Sequence, residues 1–162
     1  MYKIAIVTVS DKGARGERVD ESGPAISQMV KSLGEVVSYQ IVPDEVDLIK
    51  GLLIKLCDEE KVDLIFTTGG TGLSPRDYTP EATLAVIDRE VPGLAEVMRM
   101  ESLKKTNRAM LSRAVAGVRK QTLIVNLPGS VKAVRENLEA IMPALPHGLD
   151  ILSGQGSECG LS

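Results

Sequence analysis

The sequence predicts an α/β domain with a mostly parallel sheet covered by helices on both faces. Short apolar, β-branched runs alternate with stretches of about 10–15 residues that read as helices, and Gly and Pro punctuate the junctions, the pattern of a βαβ chain. Tyr2–Val9 is the first strand, and the polar, glycine-containing stretch Ser10–Arg18 reads as a loop. Asp20–Leu33 reads as a helix with Gly34 as its stop. Glu35–Val42 is the second strand; Pro43-Asp44 breaks it, and Asp44 is placed to cap a helix running to about Asp58. Asp63–Thr68 is a third, very apolar strand. Thr79-Pro80 opens the next helix, with Thr79 as cap and Pro80 in the first turn. Pro92-Gly93 separates it from a helix ending near Leu103. Ala114–Val118 and Thr122–Asn126 are strands joined by a short basic turn. Ser130–Met142 is a helix and Leu145–Leu152 a short amphipathic one. Residues 1–152 read as a single domain without repeats or linkers, and 153–162 as a flexible tail.

Composition narrows the function. Of 162 residues, 43% are hydrophobic and 25% charged, which excludes a disordered chain and a coiled coil. A net charge of −3 supplies no basic field for nucleic acid, and 2% aromatics with no Trp leave no base-stacking surface, so no nucleic-acid partner is expected. No apolar run reaches the roughly 20 residues of a membrane span, so no membrane role is expected. The N-terminus opens into strand-like sequence without a charged leader, and the two cysteines, Cys57 and Cys159, read as free thiols. Both point to a cytoplasmic protein. One histidine, His147, and two distant cysteines exclude the usual zinc sites. The absence of a Gly-x-Ser-x-Gly elbow argues against a hydrolase triad.

Right-handed crossovers bring the carboxyl ends of parallel strands to one edge, where ligands bind. The strands deliver Ser10-Asp11, Pro43-Asp44, Gly69-Gly70-Thr71-Gly72 and Asn126-Leu127-Pro128-Gly129-Ser130 to that rim. Gly69–Gly72 suits either a tight turn or a loop whose N–H groups approach a phosphate. It is neither a Walker A loop, because no Gly-Lys-Ser/Thr follows, nor a dinucleotide fingerprint, because Pro75 stands where the third glycine belongs. Ser130 reads as a helix cap with Lys132 in the first turn, either plain capping or a site favouring an anion. Asp44 and Asp77 near helix starts are either structural or, on a phosphate-binding rim, the holders of a divalent cation such as Mg²⁺. Arg76 stands beside Asp77. Ser112-Arg113 is either a turn with a surface Arg or a phosphate clamp.

Thr68–Gly72, Pro75-Arg76-Asp77-Tyr78-Thr79-Pro80-Glu81-Ala82-Thr83, Leu111-Ser112-Arg113 and Asn126–Ser130, in this order, resemble the molybdenum-cofactor biosynthesis proteins of the MogA type, relatives of the gephyrin N-terminal domain. Leu145-Pro146-His147 fits the same likeness, which extends from Ile4 to about Leu152. It implies a three-layer α/β/α sandwich, assembly as a homotrimer, and transfer of AMP from Mg·ATP to the terminal phosphate of molybdopterin. A molybdenum insertase is the implied partner. By the same resemblance Asp44, Asp77 and Ser112 are catalytic, with Asp44 and Asp77 toward Mg²⁺. The substrate-binding set is then Ser10, Asp11, Gly69, Gly70, Thr71, Gly72, Arg76, Arg113, Asn126, Pro128, Gly129, Ser130 and Lys132. One departure is Ser130-Val131-Lys132, where the family varies.

Two alternatives accompany this reading. One is the MoaB-type paralogue of the same fold; Arg76 and Asn126 favour the adenylyltransferase type. The other is a trimeric module that binds the pterin without turnover.

Overall fold

A computed structural model describes residues 1–154; the expected tail beyond them, with Cys159, lies outside the described residues. Six strands form one sheet in the order β2-β1-β3-β6-β5-β4. They are β1 (Tyr2–Val9), β2 (Gly34–Val42), β3 (Leu64–Thr68), β4 (Arg89–Glu90), β5 (Ala116–Arg119) and β6 (Thr122–Leu127). β2, β1, β3 and β6 run parallel, and β5 lies antiparallel to both β6 and β4. The helices are α1 (Asp11–Ala14), α2 (Ser22–Met29), α3 (Val46–Asp58), α4 (Thr79–Val86), α5 (Pro92–Leu103), α6 (Val131–Ile141) and α7 (Leu145–Leu152).

The period of two along each strand sorts the core into two layers. Ile4 and Ile6, Leu64 and Phe66, and Leu123, Val125 and Leu127 face one side, where α2, α5, α6 and α7 cover them. Ala5, Val7 and Val9, Ile65 and Ile124 face the other, under α3 and α4. Three layers follow from sequence: a strand buried on both faces must be apolar at every position, and β1, β3 and β6 are nearly so.

Departures from the sequence reading have local causes. The loop Ser10–Arg18 contains α1, a single turn capped by Ser10 Oγ, which accepts from the Gly13 N–H at 3.0 Å; four residues are too few to show a period. The second helix is shorter than expected, because the chain turns after Met29 to bury Val30 and Leu33. Gly34, expected as a stop, begins β2. A Cβ there would lie 2.2 Å from the Tyr2 carbonyl oxygen. β4 is two exposed residues and carries no apolar signal. Asp44 does not cap α3, whose cap is Glu45, and Thr79 is itself the first residue of α4, after Tyr78. Both side chains are engaged elsewhere, as described below. β5 runs antiparallel, so it starts at the edge where β6 ends. That brings Ser112 and Arg113, which precede it, to the carboxyl rim.

Phe66 is fully buried at the centre of the larger core layer. Phe66→Ala is expected to destabilise the chain by about 3–5 kcal/mol, read as a shift of the urea midpoint at unchanged slope.

Candidate functional site

The chain leaves β1 toward β2, then crosses back to β3 on the other side of β1. The switch in strand order therefore falls between β1 and β3, where a crevice opens outside their carboxyl ends. A cleft of about 620 Å³ occupies that place. Thr8–Ser10 ends β1 on its wall, Thr68–Gly70 ends β3, and Gly129–Val131 leads into α6. Asp44 and Asp77 line it too, as does Asp20. A neighbouring recess shares Ser10, Arg18, Asp44 and Asp77 with it and adds Asp11 and Arg76.

A second cleft, of about 460 Å³, opens beside it between α6, α5 and the 3-10 turn Asn107–Leu111. Thr71, Gly72, Ser112, Pro128 and Lys132 line this one, and Ser130 lines both. Ser112 thus lines a cleft adjoining the one that Asp44 and Asp77 line. The meeting point is the start of α6. Ser130 Oγ accepts the Ala133 N–H at 3.2 Å, so Ser130 is the cap the sequence predicts. The preceding first-turn N–H groups have no carbonyl within the helix to accept them, which suits the junction to an anion.

Gly69 and Gly70 take φ of +95° and +70°. A Cβ on Gly69 would lie 2.5 Å from the Val9 carbonyl oxygen, and one on Gly70 2.3 Å from Thr79 Oγ1. Glycine is therefore required at Gly69 by its positive φ and the Val9 backbone, and at Gly70 by its positive φ and the Thr79 side chain. The Gly69 N–H donates to the Leu127 carbonyl at 3.2 Å. This amide closes the β3–β6 ladder and is not available to a phosphate, which corrects its assignment as a phosphate donor. Thr79, expected as a cap, donates its hydroxyl to the Gly69 carbonyl at 2.9 Å and its N–H to the Gly70 carbonyl at 3.2 Å.

Two more assigned residues prove to be structural. Asn126 is fully buried and lines neither cleft. Its Nδ2 donates to the Thr67 and Thr83 hydroxyls at 3.0 Å each, and its Oδ1 accepts the Val115 N–H at 3.2 Å. Arg113 holds the loop from inside. Its guanidinium donates to the carbonyls of Gly72 (2.8 Å) and Asp77 (2.7 Å) and pairs with Glu81 at 2.5 Å, and its N–H donates to the Thr71 carbonyl. Neither residue lines either cleft; each fixes backbone at the rim.

The acidic side of the first cleft is a connected set. Asp44 Oδ2 accepts the Asp11 N–H at 2.8 Å, and Asp11 Oδ1 accepts the Asp44 N–H at 2.9 Å. Arg76 binds Asp11 through both Nε (2.6 Å) and a terminal nitrogen (3.1 Å), latching the loop that carries Asp77 onto α1. The Arg76 hydrogen bond holds the Asp11 carboxyl below its ordinary value. Burial pushes Asp44 the other way; the Asp11 N–H opposes the rise, and the neighbouring Asp11 and Asp77 charges add to it. Asp77 Oδ2 accepts the Ser74 N–H at 3.0 Å.

The donor set fits Mg²⁺ as a shared ion. Two mutually repelling carboxylates face one cleft, and among the described residues no cluster of three or more His, Cys, Asp or Glu could hold a metal. Mg²⁺ is commonly bound in this way, through one or two carboxylates completed by substrate phosphates and water.

The sequence reading missed Asp20 and Arg18 in the first cleft and Arg99, Lys105, Thr106 and Arg108 in the second. No local motif marks them; only the α5–turn geometry brings the last four together. Among the described residues no helix is long and apolar enough to cross a membrane.

Residues 5–147 match the family model described as probable molybdopterin binding domain. The chain is 47% identical to the molybdopterin adenylyltransferase of Helicobacter pylori strain J99, over 93% of this chain and 88% of that protein. It is 40% identical to gephyrin of Dictyostelium discoideum, over 94% of this chain and 23% of that longer protein. The crystal structure of the molybdopterin biosynthesis enzyme MoaB from Thermus thermophilus superposes with a TM-score of 0.90 at 56% identity, covering 95% of this chain and 98% of that one.

Two outcomes test this geometry. Asn126→Leu leaves the buried Thr67 hydroxyl and the Val115 N–H without the Asn126 amide, while the Thr83 hydroxyl keeps the Thr79 carbonyl, and is expected to cost at least about 2 kcal/mol in chemical denaturation. Asp44→Asn is expected to raise the thermal midpoint at pH 7. An acid whose folded pKa lies above its unfolded value destabilises the fold only while ionised. The gain should therefore shrink as pH falls through the raised Asp44 pKa and vanish below its ordinary value of 3.8.

Proposed function

The chain belongs to the molybdopterin-binding domain family, and on that premise we propose that it is a molybdopterin adenylyltransferase, transferring AMP from Mg·ATP to the terminal phosphate of molybdopterin. The observation that carries the reading is the junction at Ser130, where a cleft lined by carboxylates meets a cleft lined by Arg99, Lys105, Arg108 and Lys132. Two anionic substrates, one in each cleft, would meet at one helix start.

The charges divide the substrates. A triphosphate beside Asp44 and Asp77 needs a cation between them, and Mg·ATP brings one, so the first cleft suits the nucleotide. The pterin phosphate suits the cationic second cleft, with Ser112 and Lys132 in reach of its oxygens. A pterin phosphate oxygen then attacks the α-phosphorus. The bond from that phosphorus to the oxygen bridging to the β-phosphate breaks, and pyrophosphate leaves with the electron pair. The attacking oxygen is already ionised, so no general base is needed, and the chain contributes positioning and charge. Mg²⁺ held by Asp77 and Asp44 would neutralise triphosphate oxygens and favour departure of pyrophosphate. The α6 N-terminus would stabilise charge where the two clefts join.

The same reading carries the other properties that the resemblance implies. Val97, Met100 and Leu103 on α5, with Met110 and Leu111 on the following turn, are exposed apolar side chains that suit a homotrimer contact. ATP as substrate suits a cytoplasmic enzyme. The adenylylated pterin would pass to a molybdenum insertase. The MoaB name of the Thermus structure keeps a paralogue reading in view, and the same assay distinguishes it and a non-catalytic pterin-binding module from the enzyme.

Incubation with molybdopterin, ATP and Mg²⁺ is expected to yield adenylylated molybdopterin and pyrophosphate; no such product would overturn the reading. Asp77→Asn should keep the fold and lower turnover by at least about 10²-fold, the order expected when positioning and charge stabilisation are lost. Near-parental turnover would remove Asp77 from the site.

A further inference from the structure

Asp20 lines the first cleft, yet its carboxylate has no capacity left for a ligand. Oδ1 accepts the N–H groups of Ser22 and Gly23, the first two of α2, at 3.1 and 3.2 Å. Oδ2 accepts the Thr8 hydroxyl at 2.7 Å and the Tyr39 hydroxyl. Four donors occupy the roughly four lone-pair sites of a carboxylate. Burial, with the hydrogen bond to Asp20, pushes the Tyr39 hydroxyl up to about 12, so it stays a donor at neutral pH. Gly23 makes room for this arrangement: a Cβ there would lie 2.3 Å from the Tyr39 ring and 2.5 Å from Asp20 Oδ2. One carboxylate thus joins the ends of β1 and α2 to β2.

Ser22, two residues on, extends the tie across the cleft. Ser22, 6% exposed, donates its hydroxyl to the Gly129 carbonyl at 2.7 Å, across 107 positions of sequence. Thr68 donates to the adjacent Pro128 carbonyl, also at 2.7 Å. Two hydroxyls, one from α2 and one from β3, therefore hold consecutive carbonyls just before the helix start at which the clefts meet.

We propose that Asp20 and Ser22 are positioning residues for adenylyl transfer: Asp20 fixes the start of α2, and Ser22 fixes the Gly129–Ser130 backbone and with it the first-turn amides of α6. The inference rests on the adenylyltransferase reading and assigns these two residues a role in it without substrate contact. Its energetic basis is the steep dependence of transfer on alignment, where a displacement of about 1 Å can cost up to about 10²-fold. Thr68 keeps Pro128 in place when the Ser22 hydroxyl is lost, so the fold should survive while the Gly129 side of the loop loosens.

The test compares Ser22→Ala, Ser22→Thr and Asp20→Ala with the unmodified chain. It measures kcat, KM for ATP and amide hydrogen exchange. For Ser22→Ala the expected result is faster exchange at Gly129 and Ser130, with the sheet amides unchanged. Turnover should fall by about tenfold with KM for ATP within about threefold, the split expected when an interaction acts on the transition state. Ser22→Thr, which keeps the hydroxyl, should restore turnover, and Asp20→Ala should give the larger loss. Unchanged exchange at Gly129 and Ser130 overturns the proposal, and so does altered exchange with kcat within about twofold of the parent. Should Ser22→Ala fail to fold, Ser22→Cys keeps the volume with a weaker donor and is judged by the same criteria. Failure of the enzyme reading is distinct, because it shows as an absence of product from the unmodified chain.

Discussion

The site is built around the close backbone crossing at Gly69-Gly70. β3 ends there with a Gly69 N–H bonded to β6, a Gly69 carbonyl held by Thr79, and a Cα path that leaves no room for a Cβ beside Val9. Three neighbouring strands and α4 are brought together at that point. With any larger residue β1 and β3 would have to separate where the crevice opens. The two clefts flank the loop that leaves this crossing: Gly69 and Gly70 line one, Thr71 and Gly72 the other.

Around that crossing, polar residues that look like ligand groups do structural work. Arg113 holds three carbonyls of the Thr71–Asp77 loop by its guanidinium and its backbone N–H, and Asn126 joins β6 to β3, α4 and the approach to β5. Buried polar groups must be hydrogen-bonded, so a rim made of turns requires such residues simply to satisfy its backbone. The groups that do face the clefts include Asp44 and Asp77 on one side and Ser112 and Lys132 on the other. This separation of framework from contact surface agrees with a reaction in which the protein supplies alignment and charge and the phosphates supply the chemistry.

Electrostatics gives the two clefts different characters. Asp44 is disfavoured as an anion by burial, with the charges of Asp11 and Asp77 adding to the effect, while Arg76 is satisfied by Asp11. The first cleft thus holds negative charge that a cation would relieve. The second is lined by Arg99, Lys105, Arg108 and Lys132 against one carboxylate, Glu136, which pairs with Lys105 at 3.9 Å.

Much of the architecture was legible in the chain. β1 matches its expected bounds, and α3, α5, β3, β6 and α7 lie within one or two residues of theirs, because their apolar periods run long enough to outweigh local ambiguity. The motifs at the strand ends were legible too, as was the cap at Ser130. Short elements without apolar period, α1 and β4, were not. Nor was the direction of β5, which determines that Ser112 and Arg113 reach the rim at all. Composition and pattern by themselves determined the layered α/β class, the edge to which the strand ends deliver their motifs and the residue types found there. Only the tertiary structure decided which of those residues face open space and which bond to buried backbone, and that the open ones divide between two clefts. The physical reason is that a side chain's partners lie tens of residues away, as Gly129 does from Ser22, and such distances are set by packing rather than by neighbours in sequence.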